Sequence, residues 1–136
     1  LDKGAKKIMS FMITNSNLLM QRSMEYLWTK QSCILNNIAN IETPGYKNQY
    51  VTFEDSLEKA IQNAAQKSKC TSSSFRQAIE DSAVEVHQAD ESARMDDNGV
   101  NITEQAVELA RNGYQLQYVM DAISSDFSLL RTAIRG

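Results

Sequence analysis

The sequence predicts an all-α protein whose long N- and C-terminal helices pair as a coiled-coil hairpin, joined by an irregular or partly disordered middle segment. Two observations carry this prediction: apolar residues repeat with heptad spacing near both ends of the 136-residue chain, and the middle keeps no sustained period. We therefore divide the chain into residues 1–45 (a helix with a flexible leader), 46–99 (a linker with one short helix) and 100–136 (the second long helix).

The first helix is predicted from apolar residues that alternate in steps of four and three. This seam consists of Met20, Met24, Leu27, Gln31, Ile34, Ile38 and Ile41. A polar seam residue such as Gln31 either fixes the register of paired helices or is a tolerated flaw. The helix must stop before Pro44, the only proline in the sequence, because proline biases the preceding residue away from the helical region.

The second long helix has the more regular seam. Its members are Ile102, Ala106, Leu109, Gly113, Leu116, Met120, Ile123, Phe127, Leu130 and Ile134. Gly113 either allows close approach of another helix or is a tolerated flaw. Asn101 followed by Glu104 is typical of a capping box, and Arg131 and Arg135 near the end suit the helix dipole.

Both long helices carry apolar side chains outside their seams. These are Leu19, Tyr26, Trp28 and Leu35 on the first helix, and Val107, Tyr114, Tyr118, Val119 and Leu129 on the second. A two-helix hairpin leaves such residues in water, and a large exposed apolar surface usually marks an interface. We predict that neighbouring subunits cover Trp28, Leu35, Tyr114 and Tyr118. The alternative is that the middle segment folds back over them.

The middle segment shows few signs of regular structure. Residues 53–67 are compatible with a short helix that places Leu57, Ile61 and Ala64 on one side. The polar run KSKCTSSS at residues 67–74 is typical of a linker, and the residues from there to 97 sustain neither a helical nor a strand period. We expect this part to be poorly ordered or ordered only by a partner.

No group of residues typical of an enzyme or a metal site is evident. His87 is the only histidine, without an HExxH or a usefully spaced cysteine. The segment Asp-Asp-Asn-Gly at residues 96–99 lacks the ligand spacing of a calcium loop and is better interpreted as a turn. Cys33 and Cys70 form no CxxC; one disulfide is formally possible, and two unpaired thiols are the simpler alternative. We predict no enzyme, no catalytic residue, no metal and no cofactor.

Composition argues against two further classes. The net charge of −3 is unlike that of nucleic-acid-binding proteins, which are usually basic. No stretch approaches the roughly 18 uninterrupted apolar residues of a membrane span, so no membrane insertion is expected. The short apolar run near the N-terminus lacks the length and cleavage site of a secretion signal.

The motif at residues 36–47, NNIANIETPGYK, ends the first helix. Proline followed by glycine suits the two central positions of a type II turn over residues 43–46. Asn36, Asn37 and Asn40 crowd the last helical turns, where their amides bond helix-end carbonyls, contact the next subunit or face solvent. The motif therefore predicts an elbow at which the chain leaves the paired helices.

This motif closely resembles the signature of the axial flagellar proteins, the rod and hook family. The matching residues are Asn36, Asn37, Ile38, Ala39, Asn40, Thr43, Pro44, Gly45, Tyr46 and Lys47. Val51–Leu57, Asn98–Ile102 and Leu130–Gly136 are similar to segments of proximal-rod members of the family. The resemblance covers residues 15–60 and 92–136 and departs from the family between them.

The resemblance implies a structural subunit of the proximal rod of the bacterial flagellar basal body. Such subunits are exported through the flagellar type III apparatus and assemble helically in the periplasm, where paired terminal helices form the inner coiled-coil layer of a shaft that transmits torque. The implied partners are other copies of the chain, other rod subunits, the MS ring, an adaptor protein at the rod base and the export apparatus. Without the motif, composition and periodicity fit a generic coiled-coil adaptor or a secreted helical protein.

Overall fold

The computed structural model describes residues 2–4, 14–66, 71–90 and 100–135. Its elements are, in chain order, α1 (Asn15–Ala39), β1 (Gln49–Thr52), α2 (Glu54–Gln66), α3 (Ser72–Asp81), β2 (Glu85–Gln88) and α4 (Ile102–Arg135). The predicted all-α class is confirmed in that the described chain is mostly helical, and it is wrong in that two short strands are present. Within the described ranges, no helix is both long and apolar enough to cross a lipid bilayer.

Polar side chains begin both long helices by binding backbone N–H groups that lack a helical partner. The Thr14 hydroxyl accepts a hydrogen bond from the Asn17 N–H at 3.2 Å. At the start of α4, Asn101 Oδ1 accepts from the N–H groups of Thr103 at 3.0 Å and Glu104 at 3.4 Å. These bonds satisfy donors in the first turn, which explains why the helices begin at these residues.

The end of α1 runs into the predicted turn. The Asn40 N–H donates to the Asn36 carbonyl at 3.1 Å, and the Tyr46 N–H donates to the Thr43 carbonyl at 3.2 Å. Gly45 has a φ of +71°, which the third residue of a type II turn requires and which glycine adopts without strain. The turn over residues 43–46 is therefore present.

The two long helices contact each other and run in opposite directions. Asn37, near the end of α1, is hydrogen-bonded to Gln105, near the start of α4. Residues 17–29 of α1 line a groove together with residues 123–130 of α4. The end of α1 thus meets the start of α4, and the start of α1 meets the later part of α4, so the two helices are antiparallel.

A third helix occupies part of the predicted linker. Residues 72–81 form α3 because Thr71 and Ser74 make a reciprocal capping box. The Ser74 N–H donates to the Thr71 hydroxyl oxygen at 3.3 Å, and the Thr71 N–H donates to Ser74 Oγ at 2.9 Å. The prediction of a linker here is wrong from residue 72 onward, while residues 67–70 lie outside the described part of the chain.

A two-stranded sheet is also present in the middle segment, with β1 before α2 and β2 in the region after α3 that was predicted to be irregular. β1 and β2 pair antiparallel, with Tyr50 opposite His87 and Val51 opposite Val86. The predicted short helix of the middle segment is present as α2. Because α3 and the strand pair are regular structure as well, the prediction of an irregular middle segment is wrong for most of its described residues. Residues 91–99 lie outside those described.

The middle segment covers one side of α1. Phe53 is 4% exposed and its ring stacks on Tyr26, with centroids 5.6 Å apart. α3 adds the buried side chains of Ala78 and Ile79. The middle segment therefore covers Tyr26, as the alternative interpretation of the surplus apolar residues required, but it leaves Trp28 exposed.

Candidate assembly site

One buried side chain organises the asparagine-rich end of α1. Asn37 is 1% exposed. Its Nδ2 donates to the Gln49 carbonyl at 2.7 Å and to Gln105 Oε1 at 3.1 Å. Its Oδ1 accepts from the Gln49 N–H at 2.8 Å and from the Tyr46 hydroxyl at 3.1 Å. Both donors and both lone pairs of the amide are used, so Asn37 joins the helix end, the turn, β1 and α4.

The three asparagines of the motif have three different environments. The Asn40 side chain donates to the Asn36 carbonyl at 2.8 Å, which is the helix-end contact predicted for these amides, and it accepts from the Thr43 hydroxyl at 3.2 Å. The Asn36 side chain is exposed, whereas Asn37 is buried. The remaining exposed residues of the motif are Ala39, Glu42, Thr43, Pro44, Gly45 and Lys47.

Tyr46 reaches the Asn37 amide as a hydrogen-bond donor. Burial raises the pKa of the Tyr46 phenol, and the nearby Cys33 raises it further. Burial also raises the pKa of the Cys33 thiol, which is 5% exposed and unpaired. Both groups therefore keep their protons at neutral pH. Cys70 lies outside the described residues.

Charged and polar contacts hold α1 against α4 beyond the elbow. Lys30 Nζ lies 2.9 Å from Glu108 Oε2, and Arg111 binds the other carboxylate oxygen of Glu108 at 2.9 Å. One helical turn away, Asn112 is fully buried and its Nδ2 donates to the Leu27 carbonyl at 3.0 Å. The half of the helix contact that lies near the elbow therefore includes polar contacts beside its apolar ones.

The ion pair between the helices predicts a pH effect on stability. The hydrogen bond from Lys30 lowers the pKa of the Glu108 carboxyl below its ordinary 4.5; burial opposes this, and the charges of Lys30 and Arg111 add to it. Because the pKa is lower in the folded chain, the contribution of Glu108 to stability is full above the ordinary pKa and is lost as the pH falls through the folded-state pKa. Glu108→Gln should therefore lower the free energy of unfolding at neutral pH, and this difference from the parent should vanish in acid.

Urea unfolding of both chains at a series of pH values measures that difference. Glu42→Gln, which changes an exposed carboxylate, is the matched control and should track the parent throughout. A difference between Glu108→Gln and the parent that stays constant from neutral pH into acid would contradict the role of the ion pair.

Along α4, the row buried against α1 is not the whole of the predicted seam. Leu116 is buried, and Leu109, Ile123 and Leu130 are half-buried. Beside them, the covered positions are Gln105, Asn112, Val119 and Asp126. The predicted seam residues on the other flank are exposed in the single chain, namely Met120 (51%), Phe127 (58%) and Ile134 (60%), together with Ala106 and Gly113. Ile102, at the start of the helix, is also exposed (54%). These six positions are therefore largely uncovered in the single chain.

Along α1, the predicted seam faces the interior of the chain. Leu27 and Ile34 are buried, and Met20, Met24, Gln31, Ile38 and Ile41 are half-buried. The seam pattern did not indicate Lys30 or Asn37 as contact residues. They and Ser23 recur every seven residues along the side of α1 that includes the contacts to α4, so a heptad count of polar residues would have found them.

A broad apolar surface stays uncovered on the two long helices. The predicted interface residues are exposed: Trp28 by 59%, Leu35 by 48%, Tyr114 by 80% and Tyr118 by 76%. An open groove of about 700 Å³ lies between the helices at the end far from the elbow, and its apolar lining is Met24, Trp28, Ile123, Phe127 and Leu130. All four predicted interface residues are therefore accessible to solvent in the single chain.

The chemistry-bearing residues of the middle segment serve local structure. His87 Nε2 lies 2.8 Å from the Thr52 hydroxyl across the strand pair, and its ring stacks on Tyr50 with centroids 5.4 Å apart. Within the described ranges, no three His, Cys, Asp or Glu side chains are grouped so that they could hold a metal ion.

Comparison with known proteins assigns the family. The flagellar basal body rod protein FlgB of Bacillus subtilis (strain 168) is 31% identical over 108 residues, which cover 79% of this chain and 83% of that protein. The chain belongs to the FlgB family of flagellar basal body rod proteins. The FlgB proteins of Borrelia hermsii (49% identity over 45 residues, 33% of each chain) and Buchnera aphidicola subsp. Baizongia pistaciae (25% over 115 residues, 79% of this chain and 85% of that one) are also similar. No protein-family model matches the chain.

Family membership agrees with the resemblance noted in the motif. The relatives are named as rod proteins of the basal body, and none of their names describes an enzyme. The chain is accordingly a structural protein of the flagellum, located in the basal-body rod. This relationship favours a rod protein over a generic coiled-coil adaptor.

Proposed function

We propose that the chain is a subunit of the proximal rod that assembles helically with copies of itself and with other rod subunits. The observation that carries this proposal is the exposed apolar surface of both long helices, on which Trp28, Tyr114 and Tyr118 are each more than half exposed. A helix that is apolar on several faces is normally buried on all of them. The single chain buries one face of α4, so neighbouring subunits supply the cover for the others.

In the assembled rod, α1 and α4 pair as a coiled-coil hairpin and form the inner layer of the shaft. At 1.5 Å per residue, helices of 25 and 34 residues are about 37 and 51 Å long. The exposed row formed by Met120, Phe127 and Ile134 then packs against helices of adjacent subunits, which explains its heptad spacing. Long helices packed side by side resist twisting, as a shaft that transmits torque must.

The elbow directs the rest of the subunit away from this layer. Asn37 binds Tyr46 and both backbone groups of Gln49, which fixes where the chain turns out of α1 and enters β1. The middle segment then lies beside α1 instead of between the paired helices. The exposed Lys47 and Pro44 remain accessible to a neighbouring subunit at the same turn.

The family relationship supports the remaining parts of the proposal. The subunit leaves the cytoplasm through the flagellar type III export apparatus and reaches its place in the periplasm. There it contacts the MS ring and the adaptor protein at the rod base, and rod subunits lie beyond it. Torque from the ring passes through these contacts into the shaft.

Combined substitution of Trp28→Ser and Tyr118→Ser tests the assembly surface. Exposed residues contribute little to the stability of the single chain, so the free energy of unfolding should change by less than about 1 kcal/mol. Assembly should fail, because the apolar contacts that bury both side chains are lost. Motility in soft agar and recovery of the chain with purified basal bodies are the measurements.

Gln115→Ser changes an exposed polar residue on α4, the helix that carries Tyr118. It is the matched control and should leave motility intact. The amount of chain exported to the periplasm, measured in the same cells, separates a defect in export from one in assembly. Normal basal bodies and normal motility in the double variant would refute the proposed surface.

A further inference from the structure

The apolar contacts between α1 and α4 do not by themselves determine how the helices are aligned. The covered row of α4 repeats every seven residues as Leu109, Leu116, Ile123 and Leu130, and that of α1 repeats as Met20, Leu27 and Ile34. Sliding one helix by a heptad, about 10 Å along its axis, brings large apolar side chains back into contact. Several alignments are therefore nearly equivalent in apolar packing.

The polar contacts differ from one heptad to the next. Asn37 pairs with Gln105 at 3.1 Å, and Lys30 pairs with Glu108 at 2.9 Å. A heptad slide in one direction puts Gln115 in the place of Glu108, and a slide in the other direction puts Asn101 there. Neither residue carries a charge, so both shifts leave the half-buried ammonium group of Lys30 without its carboxylate partner.

Asn112 adds a contact that contributes specificity more than stability. It is 0% exposed, and its Nδ2 binds the Leu27 carbonyl. No hydrogen-bond partner within the described residues reaches its Oδ1. A buried polar atom without a partner is unfavourable, and a leucine of similar size at this position would avoid that penalty. A heptad slide replaces Asn112 by Val119 or Gln105, so the asparagine suits one alignment.

We infer that Asn112, with the Lys30–Glu108 pair, fixes the register of α1 against α4. These two contacts, one buried and one half-buried, oppose pairings shifted by a heptad, whether α1 and α4 belong to one chain or to two copies that meet. A polar residue in an otherwise apolar seam acts in this way in coiled coils, at some loss of stability. The inference concerns pairing of the helices alone and does not depend on the proposed role in the rod.

Asn112→Leu in the full chain tests this inference. Spin labels on cysteines introduced at Ser32 and Ser124, two exposed positions on α1 and α4, report the alignment as a distance by pulsed electron paramagnetic resonance. Cys70→Ser removes a competing thiol, and Cys33 is shielded by burial. The parent should give one distance. Asn112→Leu should give a second population, while its midpoint of thermal unfolding stays equal to that of the parent or rises.

Gln115→Leu is the matched control, since it adds the same side chain at an exposed position of α4, and it should keep the single distance. A single unchanged distance in Asn112→Leu would overturn the inference. So would a parent that already populates several distances. Loss of folding in Asn112→Leu would show that the asparagine is required for stability, which also overturns it.

Discussion

Replacing Asn37 with alanine is expected to lower the free energy of unfolding by about 3–5 kcal/mol. The substitution removes four hydrogen bonds at once. It leaves the backbone groups of Gln49 and the polar end of the buried Gln105 without their partner, and buried polar groups left in this state are strongly unfavourable. Urea unfolding followed by circular dichroism measures the loss. The Tyr46 side chain should also become more mobile, which its fluorescence reports.

Asn36→Ala is the matched control because it removes an identical side chain one position earlier, where it is exposed. Its effect should stay within about 0.5 kcal/mol. Equal losses for the two variants would mean that the motif stabilises the chain through the helix end in general and not through the Asn37 side chain.

Leu116→Ala should have the second large effect, lowering the free energy of unfolding by about 2–5 kcal/mol. Leu116 is the most buried apolar residue of α4, at 9% exposure, and it lies four residues after Asn112 in the contact with α1. Truncation removes apolar area from the contact and leaves a cavity that the paired helices fill only in part. Chemical denaturation of the purified chain is the measurement.

Met120→Ala separates the two faces of the same helix. Met120 lies one turn after Leu116 and is 51% exposed, so its truncation should change the stability of the single chain by less than about 1 kcal/mol. In cells, Met120→Ala should instead reduce recovery of the chain with basal bodies, since the proposed neighbours cover that row. Comparable destabilisation of the isolated chain by both substitutions would contradict the assigned faces.

The two long helices and the elbow could be predicted from the sequence because each depends on interactions between neighbouring residues. Asn101 caps α4 and Gly45 permits the turn, and neither needs a distant partner to do so. Which side of α4 faces α1 was not predictable in the same way. Met120 and Asn112 flank Leu116 at equally suitable spacings, and apolar periodicity selects methionine although the chain buries asparagine.

The Asn37 contacts and the sheet were missed for a related reason. Gln49 and Gln105 lie 12 and 68 residues from Asn37, so their pairing follows from the tertiary arrangement and leaves no short-range signal. β1 and β2 have four residues each and pair directly with one another, although two helices separate them in the sequence. α3 was not predicted because the threonine and serines that cap and begin it are equally typical of a linker.

The polar contacts between the long helices also join parts of the chain that are far apart in sequence. Leu27 and Asn112 are 85 residues apart in the chain, and Asn37 and Gln105 are 68 apart. A helix of this length forms within about a microsecond from neighbouring residues, whereas closing a long loop has an entropic cost that precedes any gain from contact. Proteins dominated by such distant contacts fold slowly. The contacts that align the two helices therefore carry a loop-closure cost that contacts within either helix do not.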